Sequence, residues 1–128
     1  MFHIGLGHLA IQFAKAMGAR VLAVDSSSKE KFCSELGSDA FLAFDKYSDE
    51  DLVAEVKRIS NGGAKVVLEC SGNMKAYAQA VTFLCFRGTL VCIGAPHGEM
   101  LPISTASPAL ILGLEVTIFG KTCLEPCM

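Results

Sequence analysis

The 128-residue sequence has no Trp and only four Pro. Even so, 52% of its residues are hydrophobic and its mean hydropathy is +0.45, which describes a globular, rather apolar chain large enough for one core. Neither sign of charge is in excess: eleven Lys and Arg face thirteen Asp and Glu, for a net charge of -2. The basic residues are scattered, which excludes a phosphate-tracking face and with it a nucleic-acid partner. No apolar run approaches the roughly 18 residues that span a bilayer, so no membrane partner is expected. The N-terminus lacks a basic region followed by an apolar stretch and a small-residue cleavage site, and a cytoplasmic protein is the expectation. Internal repeats, low-complexity segments and interdomain linkers are missing as well. Residues 1–121 therefore read as one domain and 122–128 as a tail.

Disulfide and metal patterns are missing in the same sense. Of Cys33, Cys70, Cys85, Cys92, Cys123 and Cys127, most fall inside apolar strand or helix stretches, where a free Cys behaves as a small buried hydrophobe. Cys123-x3-Cys127 has no second ligand pair and reads as tail. His3, His8 and His97, taken with the cysteines, give no metal-ligand spacing. The acidic trio Asp49-Glu50-Asp51 reads as first-turn charge favoured by a helix dipole.

What is present is alternation. Leu6, Leu9, Ala10, Phe13, Ala14 and Met17 form one stripe of a helix that Gly18 ends. The run Val21 to Val24 has strand length and continuous apolarity, as in a strand buried on both faces. Ser27-x-x-Glu30 is a capping box for a second helix, with Phe32, Cys33 and Leu36 inward and Gly37 as its stop. Residues 40–44 read as a strand, and Ser48-x-x-Asp51 opens a third helix carrying Leu52, Val53, Val56 and Ile59 inside. Val66-Val67-Leu68 is a buried strand, Met74 to Leu84 a helix, Arg87-Gly88 a turn, and Leu90 to Ile93 another buried strand. Ser107-Pro108 caps a short helix, and Glu115 to Phe119 alternates like a last strand. This order predicts an α/β fold with a doubly wound, Rossmann-like parallel sheet. Ligands of such sheets bind beyond the carboxyl ends of the strands, here Asp25, Ser71-Gly72, Ile93-Gly94-Ala95 and Phe119.

The chain opens on Gly5-Leu6-Gly7-His8-Leu9-Ala10, a G-x-G-x-x-A turn leading straight into a helix, and Asp25 follows eighteen positions after Gly7 at the end of a strand. A pyrophosphate site needs a tight turn whose N–H groups approach the anion at a helix N-terminus. A carboxylate at that distance accepts bonds from ribose hydroxyls. Ser26-Ser27-Ser28 follow Asp25 in place of an Arg, so a 2′-phosphate meets a like charge, and NAD is favoured over NADP. Only Met1 to Ile4 precede the turn, so the first strand is truncated. In the order 3-2-1-4-5-6 that strand lies between those ending at Asp25 and Cys70. Residues 1–4 are expected to form a stub of it, leaving open edges prone to association, or the sheet rearranges.

Gly5 to Gly18, Val21-Leu22-Ala23-Val24-Asp25, Glu69-Cys70-Ser71-Gly72, Gly88 to Pro96 and Ile118-Phe119-Gly120 together resemble the coenzyme-binding domain of the zinc-containing medium-chain alcohol dehydrogenases, over roughly residues 4–121. The resemblance implies an oxidoreductase that moves hydride between a small alcohol or aldehyde and NAD(H). It places the pyrophosphate at Gly5, Leu6, Gly7 and His8 and the ribose on Asp25, assisted by Lys29 or Lys31. It puts Ser71 near the crevice floor and Ile93, Gly94, Ala95 and Phe119 beside the nicotinamide. The family's zinc ligands belong to a preceding domain, so no catalytic residue and no metal ligand is assigned here. There is no Tyr-x-x-x-Lys pair, which disfavours a short-chain dehydrogenase mechanism. The last strand of such domains often pairs across a dimer, so a homo-oligomer is open. The alternatives are a non-catalytic nucleotide-binding module and a truncated chain that binds nothing well.

Overall fold

Short apolar runs become strands, and every strand pair is parallel. The computed structural model describes residues 6–95 and 102–120. Along the chain come α1 (Leu6–Ala16), β1 (Leu22–Asp25), α2 (Glu30–Glu35), β2 (Ala40–Ala43), α3 (Asp49–Ile59), β3 (Ala64–Glu69), α4 (Met74–Thr82), β4 (Leu84–Cys92), α5 (Pro108–Leu114) and β5 (Thr117–Gly120). Parallel neighbours need a crossover, which α2, α4 and α5 supply.

Two sheets result among the described residues, β1–β2 and β3–β4–β5. β1 pairs β2 from Leu22↔Ala40 to Asp25↔Ala43. β4 is the central strand of the second sheet, with Leu68↔Val91 on one side and Val91↔Phe119 on the other. Among the described residues β1 and β3 do not pair with each other; in the sequence-based expectation the short first strand, residues 1–4, lies between them. Residues 1–4, expected to form its stub, lie outside the described residues.

Side chains carry the connection across that division. Val24 and Leu42 of the first sheet pack with Leu52 and Val56 of α3 and with Phe83, and Val67 of β3 lies against them. Val67 also packs on a second cluster of Tyr77, Ala80, Val81, Leu84, Leu90 and Val116. On β3 and β5, by contrast, Val66 is 56% and Phe119 52% exposed. The continuous burial read from Val66-Val67-Leu68 is not met: Val66 is exposed and Val67 and Leu68 are half-buried.

Helix ends follow local chemistry where a short polar side chain has no better partner. The Ser48 hydroxyl accepts from the Asp51 N–H and Asn73 accepts from Lys75 and Ala76 N–H. Ser107 does the same for Leu110, with Pro108 in the first turn of α5. Three expectations are corrected. Ser27 makes no capping box: its hydroxyl donates to Asp45 at 2.6 Å, and residues 27–29 form a 3-10 turn ahead of α2. In α1 the buried residues are Gly7 and Ile11, whereas Phe13 is 66% and Met17 85% exposed. The helix is apolar on more than one side, and Val21, Ala23 and Cys33 select Ile11. Finally, β4 starts at Leu84, and Arg87 takes a left-handed φ of 61° inside it, where the register between Ala64 and Val66 slips.

Candidate functional site

The strand ends gather the polar and glycine residues. After β3 the chain runs through Cys70, Ser71 and Gly72, and after β4 through Ile93, Gly94 and Ala95. These two segments touch backbone to backbone. A Cβ on Gly94 would stand 2.3 Å from the Gly72 nitrogen and 2.7 Å from the Cys70 carbonyl oxygen, and one on Gly72 would stand 2.3 Å from the Ala95 oxygen. Gly72 also has φ +72°, which favours glycine independently of space.

Glu69, the last residue of β3, is 1% exposed and holds both segments. Its Oε1 accepts the Ser71 N–H at 2.7 Å and the Ser71 hydroxyl in a short bond. Its main-chain carbonyl accepts from both Ile93 and Gly94 N–H, each at 2.9 Å. From α4, the Tyr77 hydroxyl donates to the Gly94 carbonyl at 2.5 Å. Burial, then the neighbouring Cys92 and Glu69, pushes the Tyr77 phenol well up, so it remains a donor. Burial, then Glu69, likewise raises the Cys92 thiol.

At the other sheet Asp25 ends β1 and its Oδ1 accepts the Ser26 N–H at 2.7 Å. The following turn is fixed by Asp45, which takes the Ser27 N–H at 3.0 Å and the Ser27 hydroxyl. Those bonds, the hydroxyl first, hold the Asp45 carboxyl below its ordinary range. Lys29 lies half-buried in this turn. Burial raises the Cys33 thiol; Asp25 raises it further and Lys29 opposes, so both charges lie around the same thiol. Lys31 is turned to Glu35 at 3.8 Å instead.

Gly5, the first glycine of the turn, and His97 lie outside the described residues. Leu6 is the first residue of α1, Gly7 is buried, and His8 is half-buried with its carbonyl accepting from Gln12. The structure thus brings Ser71, Ile93, Gly94 and Ala95 into one cluster and places Asp25 with Lys29 in another. Phe119 follows by register beside Val91. Three residues that reasoning from the sequence did not single out complete the clusters: Glu69, Tyr77 and Asp45. An acid closing an apolar strand just before Ser-Gly is a legible signal for Glu69. Nothing local in the sequence announces the other two.

Among the described residues no three His, Cys, Asp or Glu group so as to hold a metal ion. The described side chains therefore do not fit a zinc site. They do fit a dinucleotide: α1 begins with N–H groups that no helical carbonyl takes, a buried glycine stands in its first turn, and an acid closes β1.

Known proteins share this architecture. Residues 5–126 match the family model described as zinc-binding dehydrogenase. Alcohol dehydrogenase 2 of Caenorhabditis elegans is 39% identical over 117 residues, covering 91% of this chain and 32% of the relative. Alcohol dehydrogenase 2 of Emericella nidulans is 38% identical over 124 residues, covering 91% and 34%. Among solved structures, an alcohol dehydrogenase zinc-binding domain protein from Burkholderia ambifaria superposes with a TM-score of 0.81 at 28% identity, over 94% of this chain and 32% of that one. Benzyl alcohol dehydrogenase from Acinetobacter calcoaceticus gives 0.79 at 29%, over 91% and 32%. The chain spans about a third of the length of the curated relatives it matches. With its parallel α/β sheets and the strand-end cluster in place, the chain belongs to the zinc-binding dehydrogenase family, as a counterpart of its Rossmann-like coenzyme-binding domain.

Proposed function

We propose that this chain is the coenzyme-binding part of an NAD-dependent oxidoreductase that interconverts an alcohol and its aldehyde or ketone. The observation that carries the reading is the backbone-to-backbone cluster of Gly72, Gly94 and Ala95 at the carboxyl ends of β3 and β4, where a parallel sheet holds its ligand. The coenzyme, when bound, supplies the hydride acceptor. The residues described here bind and orient. The N–H groups opening α1 face the pyrophosphate, and Asp25 offers the ribose the oxygen not occupied by Ser26. Ser71, Ile93, Gly94, Ala95 and Phe119 border the nicotinamide. Lys29 supports the Asp25 side. A cytoplasmic setting goes with the reading, since Cys33, Cys85 and Cys92 are in no disulfide.

The test is calorimetric titration with NADH, NADPH and ADP-ribose. NADH and ADP-ribose should bind, NADPH much more weakly, and Asp25→Ala should weaken NADH about tenfold or more, as loss of a hydrogen bond to a charged group does. Equal binding of NADPH and NADH would remove Asp25 from the role given to it. No heat with NADH or ADP-ribose at millimolar concentration would overturn the coenzyme reading itself.

A further inference from the structure

The buried phenol of Tyr77 is used by nothing in the reading above. It sits on α4, 4% exposed, in the cluster formed by Ala80, Val81, Leu84, Leu90 and Val116. A phenol in such a place needs a partner for its O–H, and it takes the Gly94 carbonyl. That choice fixes a peptide plane. The bond from Gly94 to Ala95 is trans, since the described chain has no cis peptide. In a planar trans peptide the N–H points opposite to the C=O. With the Gly94 carbonyl drawn inward to α4, the Ala95 N–H is turned away from α4, on an exposed residue. It donates to no described group.

The rest of the cluster is already pinned without Tyr77. Ile93 and Gly94 N–H are held by the Glu69 carbonyl, and Ser71 by the Glu69 side chain. The rotation of the Gly94–Ala95 peptide is the remaining freedom, and the Tyr77 hydroxyl removes it. We propose that Tyr77 is a positioning residue for the nicotinamide half of the coenzyme, acting through the Gly94 carbonyl to present the outward Ala95 N–H as a donor. The inference rests on the coenzyme reading, because it needs the segment after β4 to border the nicotinamide.

Tyr77→Phe tests it, since phenylalanine keeps the ring in its pocket and removes only the hydroxyl. NADH and ADP-ribose are titrated into the parent and the variant. ADP-ribose lacks the nicotinamide and reports on the fold and on the adenosine half. The expected result is an NADH affinity lowered about threefold to tenfold, the worth of one hydrogen bond, with ADP-ribose affinity unchanged within about twofold. Parallel losses of NADH and ADP-ribose would reduce Tyr77 to a packing residue and overturn the inference, as would unchanged NADH affinity. A parent that binds neither probe would instead remove the coenzyme reading and the inference with it.

Discussion

Replacing Gly94 by alanine is the sharpest single perturbation the structure offers. The added methyl would lie 2.3 Å from the Gly72 nitrogen and 2.7 Å from the carbonyl carbon and oxygen of Cys70. Comfortable non-bonded separations of a carbon are about 3.5–4.0 Å, so the two segments must part by roughly an ångström. The obstructing atoms are all backbone, and no rotamer change relieves them. Gly94 does not have a positive φ, so the effect is one of space alone. Overpacking of this kind costs about 1–3 kcal/mol. For a chain of this length, at roughly 2.1 cal/mol/K of unfolding entropy per residue, that lowers the melting temperature by about 4–11 °C. Gly113→Ala is the matched control, because nothing lies within 4 Å of its new methyl and Gly113 sits in α5. It should raise stability by about 0.4–1 kcal/mol through loss of unfolded-state freedom. Thermal melts by circular dichroism compare the three proteins, and NADH titration should show Gly94→Ala weakened while Gly113→Ala is not. A Gly94→Ala protein that melts with its parent would refute the close approach of the two segments.

Two other predictions rest on charge and on pairing. Asp39 is held in its charged form below the usual carboxyl range by the Val21 N–H at 2.7 Å and by Lys15 at 2.9 Å. Such a group stabilises above its unfolded pKa, about 3.9, and loses that contribution as pH falls through its folded value, so the melting temperature should drop below about pH 4. Asp39→Asn should lower the melt at pH 7 and converge with the parent near pH 2; a gap of the same size at both would refute the linkage. In hydrogen exchange, the Leu90 and Val91 amides of doubly paired β4 should be slower than Ala23 and Val24 on β1, and equal protection would mean that another strand closes β1.

The sequence is legible where a decision is local and opaque where two remote segments make it. Val21 to Val24 and Leu90 to Ile93 are apolar runs that need two covered faces, and both fall on strands, the first as Leu22–Asp25 and the second as the end of the longer β4, Leu84–Cys92. The Ser48 cap forms because its Asp51 partner is three residues away. Ser27 has an equally good local pattern, yet Asp45, eighteen residues on, outcompetes it with two hydrogen bonds. The inward face of α1 could not be chosen from its own residues, since Leu9, Phe13 and Ile11 are all apolar and the surface beneath decides. The site divides in the same way. Asp25 and Gly94 follow from strand ends, while the Tyr77 bond spans seventeen residues and depends on how α4 lies over β4.

The division between β1–β2 and β3–β4–β5 bears directly on the site. The backbone groups along the facing edges avoid a penalty of about 1–3 kcal/mol each only by finding partners or staying in water. The two sheets are therefore not joined through those edges among the described residues, and the joining falls to Val24, Leu42, Leu52, Val56 and Phe83, with Val67 against them. Asp25 belongs to one sheet and the Gly72–Gly94 contact to the other. In the proposed site a dinucleotide reaches both, and on that reading its affinity depends on a separation set by side chains that touch neither of its ends. AMP, which is confined to the Asp25 side, should be insensitive to that separation, and the intact coenzyme is the ligand that senses it.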